Sequence, residues 1–425
     1  MSSDSDSDSD DSSNQIPTDE EFQANLLRIR DNDPRLIRVN VDGDFISVQN
    51  MSDEGWEVLG RDIANNTHVE DLCIRDGALN DHQMSCFFRG LTSSSSISRL
   101  FMLFNASSAA GVRCVVPFLQ NANNLQVLVL TDINLQSEGF NFIFRVLRNS
   151  PIEELSCCKN GIEALEIDIE HSPKHLERLV LEDNNINASG CQELAKLLRM
   201  GGATLTELDL KENEIDDEGV ETLVSALRNN TSLRESYLGG NNEISSHGGI
   251  LLLKLVNDIS SIEATLRSNH TLEDLKFKFL DEEEEGQQIQ QHIDVATHIN
   301  RPDPSAGKNK LIETQLNSKR RAELAELQGI THSVFSEIDP LHLPEVLALV
   351  GNHHGHGELY VALRSSIAGV ISTVNEEQLL KQQIAEYRTK LVRAEAKLAA
   401  IEAAKVHDEL GPGSDESRSN KRRRS

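Results

Sequence analysis

The residues best suited to chemistry in this chain of 425 residues stand in the segment HHGHG, which contains His353, His354 and His356. Imidazole nitrogens bind zinc, so the segment could contribute to a metal site. No cysteine lies near it, and Glu358 is the one carboxylate close by, which leaves a structural zinc site short of its usual ligands. The sequence therefore predicts a polar loop at this place and no metal site.

Other reactive side chains do not form common catalytic patterns. The sequence lacks the phosphate loop G-x-x-x-x-G-K-S/T, the nucleophile elbow G-x-S-x-G, the pattern H-E-x-x-H and the dinucleotide fingerprint. Its six cysteines show no regular spacing, which predicts reduced thiols rather than a disulfide framework. We therefore expect neither an enzyme nor a cofactor, and we interpret Cys157, at a strand leucine position, as a small core residue.

The charge balance narrows the class of partner. The chain has 41 Lys and Arg against 69 Asp and Glu, a formal net charge of −28. This balance argues against general nucleic-acid binding, which needs a basic surface, and against docking on anionic membranes. The N-terminus is acidic without an apolar segment, and the longest apolar stretch, Ile250 to Val256, is interrupted by Lys254. We therefore expect a soluble intracellular protein without a signal peptide.

An internal repeat positions the residues of the middle of the chain. The pattern L-x-x-L-x-L-x-x-N-x-I recurs at spacings of 28, 28, 27, 24, 29 and 28 residues, in copies that start at Val69, Ile97, Leu125, Ile152, Leu176, Leu205 and Leu233. A degenerate unit with Leu36, Val39 and Val41 precedes these copies, and a shortened unit, LEDLKF (272–277), follows them. About nine units therefore run from roughly residue 34 to residue 280.

Each unit can be interpreted as a strand, a turn, a helix and a return. The second and third leucines alternate inward along a short strand. The asparagine stands where the chain leaves the strand, and its amide can bond unpaired backbone groups there, at Asn105, Asn160, Asn184, Asn213 and Asn241. No unit can bury its apolar face alone, so the units stack into a curved solenoid with the strands on the concave side. The predicted fold is thus an α/β horseshoe.

Repeats of about 28 residues with a full helix resemble the ribonuclease-inhibitor type of leucine-rich repeat, a type shared with Ran GTPase-activating protein and with NOD-like receptors. The chain is most similar to an expanded leucine-rich-repeat family of diatom-type algae. That similarity rests on WEVLGRDIANNT (56–67) before the repeats and SNHTLEDL (268–275) after them. It implies a protein-interaction module with unassigned partners, and it supplies no catalytic residues.

Composition divides the chain into six segments. We predict a disordered acidic Ser/Asp tail, an N-terminal cap with the first degenerate repeat, the repeats proper, an acidic linker with a helical region, a coiled-coil helix and a disordered basic tail, at 1–21, 22–68, 69–280, 281–375, 376–408 and 409–425. The basic tail contains KRRR at Lys421 to Arg424. Such a cluster can act as a nuclear-import signal, and it also occurs by chance.

The concave strand face is the predicted binding surface. Its outward residues fall into an apolar group in the second and third units and a charged group in the fifth to seventh. An exposed apolar group often marks an interface. Alternatively, the N-terminal segment or the C-terminal helices cover it. The candidate partner-binding residues are Phe101, Phe104, Val129, Arg178, Asp209, Lys211, Arg234 and Tyr237, with Leu103 and Val127 in the apolar group.

The helix at 376–408 is a second candidate interaction surface. Apolar residues recur there at steps of 4, 3, 4, 3, 4 and 3 from Leu380, which is typical of a coiled-coil seam. Lys390 and Lys397 then fall at g and Glu395 and Glu402 at e, which favours a parallel homodimer. A single amphipathic helix that packs on the preceding segment is the alternative. The predicted dimer seam comprises Ile384, Tyr387, Leu391, Leu398 and Ile401.

These observations predict a non-enzymatic scaffold that binds a protein through its concave face and dimerises through its C-terminal helix. The net charge of −28 suggests a partner with a basic surface, because complementary fields steer encounter. The alternative is a regulator of a small GTPase, which rests on the resemblance in repeat type to Ran GTPase-activating protein.

Overall fold

The computed structural model describes residues 18–76, 79–104, 109–200, 204–241, 243–277, 284–301, 306–316 and 318–330. The predicted coiled coil with its seam, the histidine segment, the basic tail and most of the acidic tail lie outside these residues. None of the described helices is long and apolar enough to cross a bilayer.

Nine parallel strands form one sheet in which every strand pairs with the next along the chain. They are β1 (Arg38–Asp42), β2 (Asp71–Arg75), β3 (Arg99–Leu103), β4 (Val127–Thr131), β5 (Glu154–Ser156), β6 (Arg178–Val180), β7 (Glu207–Asp209), β8 (Glu235–Tyr237) and β9 (Asp274–Lys276). Parallel neighbours need a crossover on one side of the sheet. This arrangement confirms the predicted solenoid, with one strand for each of the nine units.

The strand leucines form the core that holds successive units together. The second residues of β2 to β7 and of β9 are buried, at Leu72, Leu100, Leu128, Leu155, Leu179, Leu208 and Leu275. Burial of one such side chain stabilises the fold by about 1.5–3 kcal/mol. Cys157, two residues after Leu155 at the next inward position of its unit, is also fully buried, as predicted, and burial raises the pKa of its thiol. Its thiol is therefore a packing group rather than a reactive one.

The helices occupy the crossovers and the two ends of the solenoid. They are α1 (Asp19–Arg30), α2 (Ile46–Gln49), α3 (Asp53–Asn65), α4 (Asp81–Leu91), α5 (Ala109–Val112), α6 (Val116–Asn121), α7 (Gln136–Val146), α8 (Ala188–Leu198), α9 (Asp217–Leu227), α10 (Ser246–Val256), α11 (Ile262–Arg267), α12 (Glu284–Asn300), α13 (Ala306–Lys310) and α14 (Ser318–Leu327). Gly190 and Gly219 stand in the first turns of α8 and α9 because an added Cβ would lie 2.6 and 2.9 Å from an isoleucine of the preceding turn.

The repeat asparagines form a buried ladder of hydrogen bonds between units. The Nδ2 of Asn213 donates to Leu181 O of the preceding unit at 2.9 Å, and its Oδ1 accepts from Ile186 N at 2.9 Å. Asn160, Asn184 and Asn241 make the equivalent bonds. Each amide therefore satisfies backbone groups that the turn leaves unpaired, as the sequence predicts. Asn105 lies outside the described residues.

The unit that starts at Ile152 departs from the predicted pattern, because its only described helical turn is the short 3₁₀ turn Ile169–His171. This unit is the shortest, at 24 residues, and lacks the length for a full helix between its strand and the next. Side chains of the flanking helices hold the connection instead. Ser137 Oγ accepts from Glu163 N at 3.0 Å, and Glu193 Oε2 accepts from Ile167 N at 3.0 Å.

The first described helix begins inside the segment 1–21 that the sequence predicts to be a disordered tail. Helix α1 starts at Asp19, and the Thr18 hydroxyl caps it by accepting from Glu21 N at 3.2 Å. Phe22 is buried against Phe45, with ring centroids 5.7 Å apart. Three acidic residues in the first turn stabilise the helix through its dipole, so acidity here favours helix rather than disorder.

The helices after the repeats cap the C-terminal end of the sheet. Gln290 of α12 donates to Leu275 O at 3.0 Å and accepts from Phe277 N at 3.1 Å, which covers the edge strand β9. The buried Lys310 ammonium donates to Val256 O at 2.5 Å and Asn269 O at 3.1 Å. Burial lowers the pKa of Lys310 to about 7. The start of the segment 281–375 thus seals the solenoid.

Candidate functional site

The strand register places the predicted outward residues in one row across the concave face. Residues of adjacent strands face one another along this row, which comprises Asn40, Cys73, Phe101, Val129, Ser156, Val180, Asp209, Tyr237 and Lys276. Ser156, Val180 and Asp209 are nevertheless buried. The candidate residues therefore differ in how much surface they offer.

The first region of interest, which we call the apolar zone, lies on β3 and β4. Its members are partly exposed apolar side chains, namely Phe101, Leu103, Phe104, Val127 and Val129. Phe101 faces Val129 in the register, and Arg99 faces Val127. Phe104 is 50% exposed. The described residues thus leave an apolar surface open on a face that would otherwise be polar.

Phe104 is unusual in its backbone as well as in its exposure. It follows β3 with a φ of 53°, in the left-handed region that bulky residues rarely adopt. The equivalent positions of other units hold polar residues, also at positive φ: Asp76, Asp132, Lys159, Asp183 and Glu212. Aspartate tolerates this conformation better than phenylalanine. Neither backbone preference nor burial accounts for an aromatic ring at this place, which favours a role at the surface.

The second region, the predicted charged group, is only partly assembled. Lys211 Nζ lies 2.7 Å from Asp209 Oδ2 and 4.7 Å from the centroid of the Tyr237 ring. The Tyr237 hydroxyl donates to Glu235 Oε2 at 2.6 Å, and burial together with this carboxylate raises the pKa of the phenol. Arg234 does not join the group, since it pairs with Glu273. The tyrosine is therefore held rigidly between two charged neighbours.

A third region was not singled out by the sequence analysis, and we call it the acidic edge. It follows the N-terminal ends of β5 to β9 and contains Glu153, Glu154, Glu177, Glu207, Glu235, Glu273 and Asp274. The same two positions of each unit also hold two cations, Arg178 and Arg234. Arg178 lies 3.0 Å from Glu207 and 4.0 Å from Glu154. Lys276 of β9 lies 3.3 Å from Asp274 as well, so seven carboxylates stand against two guanidinium groups and one ammonium group.

Like charges face one another within the acidic edge. Glu207, Glu235 and Asp274 occupy matching positions on three adjacent strands. Like charges directly opposite each other destabilise a sheet. Burial raises the pKa of Glu207, and Glu235 and Asp209 add to the effect. A cation bound at this edge would relieve the repulsion.

A sequence signal for the acidic edge exists. The edge residues occupy the two x positions of the L-x-x-L segment that opens each repeat. These two positions are polar in most units. In the last five units these pairs are EE, ER, TE, RE and ED; of the three earlier copies, the one at Val69 has ED and the other two have SR and QV. The prediction considered the outward residues further along the strand, so its candidate residues include Arg178 and Arg234 but none of the carboxylates of the edge.

Comparison with known proteins agrees with the repeat assignment. Residues 172–195 and 203–224 match the family described as "Leucine Rich repeat". A ribonuclease inhibitor from Sus scrofa is 29% identical over 191 residues, which cover 42% of this chain and 41% of that protein. The chain thus spans about two fifths of the length of this curated relative. The more specific resemblance to an algal family stays a prediction.

Solved structures with partial likeness include a Rad7 and Elc1 complex from yeast and the C-terminal domain of tropomodulin from Caenorhabditis elegans. The first has a TM-score of 0.34 at 16% identity and covers 55% of this chain and 62% of that chain. The second has a TM-score of 0.17 at 12% identity and covers 66% and 93%. The repeat family match and the nine-stranded parallel sheet show that the chain contains leucine-rich repeats, and these repeats are similar to those of the ribonuclease-inhibitor type.

Proposed function

We propose that this protein is a non-enzymatic scaffold whose concave face binds a partner protein with a basic surface. The observation that carries the proposal is the acidic edge, where seven carboxylates stand against three cations, Arg178, Arg234 and Lys276. Membership in a leucine-rich-repeat class supports a protein-interaction role in general terms. The acidic edge further indicates that the partner's surface is positively charged.

Electrostatic complementarity explains how such an edge would act. Opposite charges on two surfaces accelerate encounter and reject partners of like charge. The edge spans five strands, which at about 4.8 Å per strand step gives roughly 19 Å of aligned negative charge. A partner with several lysine or arginine side chains spaced over that length would fit it.

The apolar zone would supply the short-range part of the contact. Binding energy usually concentrates in a few well-packed side chains, often aromatic, within a ring of polar contacts. Phe101 and the half-exposed Phe104 have the size for such anchors. The alternative occupant is a segment of this chain outside the described residues, in which case loss of that segment would expose the zone to partners.

Affinity purification from the native source with mass spectrometry tests the proposal. The baits are the full chain, a chain that ends at residue 375, and the full chain with Phe101→Asp and Tyr237→Asp. We expect a basic partner that binds the full chain and the shortened chain but not the double variant. A partner lost only with the shortened chain would place binding on the segment after residue 375 instead.

We also propose that residues 376–408 form a parallel homodimer. Light scattering during gel filtration should give twice the mass of one chain for the full protein and a single-chain mass for the chain that ends at residue 375. The small-GTPase alternative has only the shared repeat type in its support. An increase in GTP hydrolysis by candidate small GTPases on addition of the purified protein would favour it over the scaffold.

A further inference from the structure

Helices α3 and α4, on the side of the solenoid opposite the concave face, pack with their backbones in direct contact. A Cβ added at Gly60 would lie 2.2 Å from Phe87 O, and one added at Gly90 would lie 2.2 Å from Glu57 O. Trp56 and Phe87 meet edge to face between the helices, with centroids 6.1 Å apart. The pair is therefore held closely, and side chains at its ends have fixed positions relative to one another.

Three metal-binding side chains meet at the N-terminal end of this pair. Asp53 is the first residue of α3, and His82 and Cys86 stand one turn apart on α4. The His82 Nε2 lies 3.0 Å from Asp53 Oδ2. The carboxylate oxygen, imidazole nitrogen and sulfur that could act as ligands all lie within 4.8 Å of one another.

We propose that Asp53, His82 and Cys86 bind a divalent transition-metal ion of the zinc class. With metal–ligand bonds of about 2.0–2.3 Å, tetrahedral ligands stand roughly 3.3–3.7 Å apart, which small side-chain rotations from the present positions would give. One thiolate, one imidazole and one carboxylate suit Zn²⁺ and Co²⁺, whereas Ca²⁺ and Mg²⁺ prefer oxygen ligands alone. The fourth position would take a water molecule.

An ordinary ion pair between His82 and Asp53 is the simpler interpretation, and the chain contains a matched example of one. His171 Nδ1 lies 2.7 Å from Asp168 Oδ2 on another part of the surface. Within the described residues no third ligand joins that second pair. Cys86, which is 5% exposed and one turn from His82, is what distinguishes the α3–α4 cluster.

The sequence analysis expected no metal site, and the reason is distance along the chain. Asp53 precedes His82 by 29 residues, and only the fold of two adjacent units brings them together. His82 and Cys86 alone form H-x-x-x-C, a spacing that occurs often without a metal. A bound ion would link α3 to α4, and because it binds the folded state it would stabilise this end of the solenoid.

Cobalt titration of the purified full chain tests the site. The background carries His353→Ala, His354→Ala and His356→Ala, which removes the histidine segment as a competing site. We expect a thiolate-to-Co²⁺ charge-transfer absorption band that saturates at one equivalent and disappears when Zn²⁺ is added. Trp56 is the single tryptophan of the chain and stands three residues after Asp53, so its fluorescence should be quenched in parallel.

Matched variants identify the ligands. Cys86→Ser should abolish the band and His82→Ala should weaken Co²⁺ binding at least tenfold, whereas His171→Ala and Cys73→Ser should leave both signals unchanged. His82 is exposed, so its variant tests the site even if Cys86→Ser fails to fold. The absence of a saturable band, or a band that survives Cys86→Ser, would overturn the proposal.

Discussion

The apolar zone on β3 and β4 and the acidic edge along β5 to β9 lie on one sheet with one register, yet they have opposite surface chemistry. Both rest on the same buried leucines and are joined by the same repeat geometry. The positions that the repeat leaves free carry Phe101 and Val129 in one region and Glu207 and Glu235 in the other. The repeat therefore fixes where side chains stand, and the free positions determine what they bind.

The two ends of the sheet also differ in how well opposite charges are balanced. At the N-terminal end of the sheet, Arg38 and Arg99 both pair with Asp71, at 2.9 and 2.5 Å, so charge there is locally balanced. In the acidic edge, Glu207, Glu235 and Asp274 face one another across three strands, and the seven carboxylates outnumber the three cations beside them, Arg178, Arg234 and Lys276. The imbalance, rather than the number of charges, is what points to a partner.

The largest effect we predict is on the stability of the solenoid, which supports both regions through its asparagine ladder. Asn213→Ala removes bonds to Leu181 O and Ile186 N, both buried, and should lower the free energy of unfolding by about 3 kcal/mol. Urea denaturation measures the loss. Asn185→Ala is the control, because its exposed side chain bonds only a surface glutamate and should cost less than about 0.5 kcal/mol. Equal losses in the two variants would contradict the structural role of the ladder.

A second prediction separates binding from stability within the apolar zone. Phe104→Asp should weaken partner binding about twentyfold through loss of an aromatic anchor. The same change should leave unfolding unaffected or slightly more difficult, because aspartate stands at the matching left-handed position in other units. Calorimetry of binding and thermal unfolding measure the two effects. Ile46→Asp, at an exposed apolar residue away from the sheet face, should change neither, and reduced stability of Phe104→Asp would refute this interpretation.

A third prediction concerns the acidic edge and ionic strength. Screening shortens the reach of exposed charges from about 10 Å at 0.1 M salt to about 3 Å at 1 M. Partner affinity should therefore fall about tenfold between low and high salt. In Phe104→Asp the remaining affinity should show the same salt dependence, since the acidic edge is intact. Affinity that is independent of salt would show that the edge does not face the partner.

The smallest effect follows from the raised pKa of Glu207. As pH falls, this carboxyl takes up its proton before an ordinary glutamate, so the edge loses charge early. Partner affinity should decrease a few-fold between pH 7 and pH 5. Glu207→Gln should bind more weakly at pH 7 and show a shallower decline. An unchanged pH profile in this variant would mean that Glu207 does not contact the partner.

The sequence was most informative where geometry repeats. Leucine and asparagine spacing predicted the sheet, the register row and the turn ladder, because those side chains face the neighbouring unit in every copy. It failed where one unit differs from the others: the unit at Ile152 is too short for a helix, and Ser137 and Glu193 hold its loop instead. The length of this unit and the side-chain contacts from its two neighbours determine its conformation. The repeat pattern, which describes what the units have in common, contains neither.

The candidate site was less predictable than the fold for a similar reason. Sequence position placed Asp209, Lys211 and Tyr237 near one another, as the structure has them. It did not predict that Arg234 would pair with Glu273, because side-chain direction at the strand ends depends on the neighbouring unit. Asp53 and His82 meet only through helix packing between two units.

The most direct test of the account compares charge reversal on two faces of the same region. Glu207→Lys with Glu235→Lys alters the acidic edge, and Glu218→Lys with Glu221→Lys makes the same change in net charge on exposed positions of α9. Calorimetry with the partner at low salt measures both full-length variants. We predict that the first variant binds at least tenfold more weakly while the second binds like the unaltered protein. Equal losses in both, or no loss in the first, would contradict binding through the concave face.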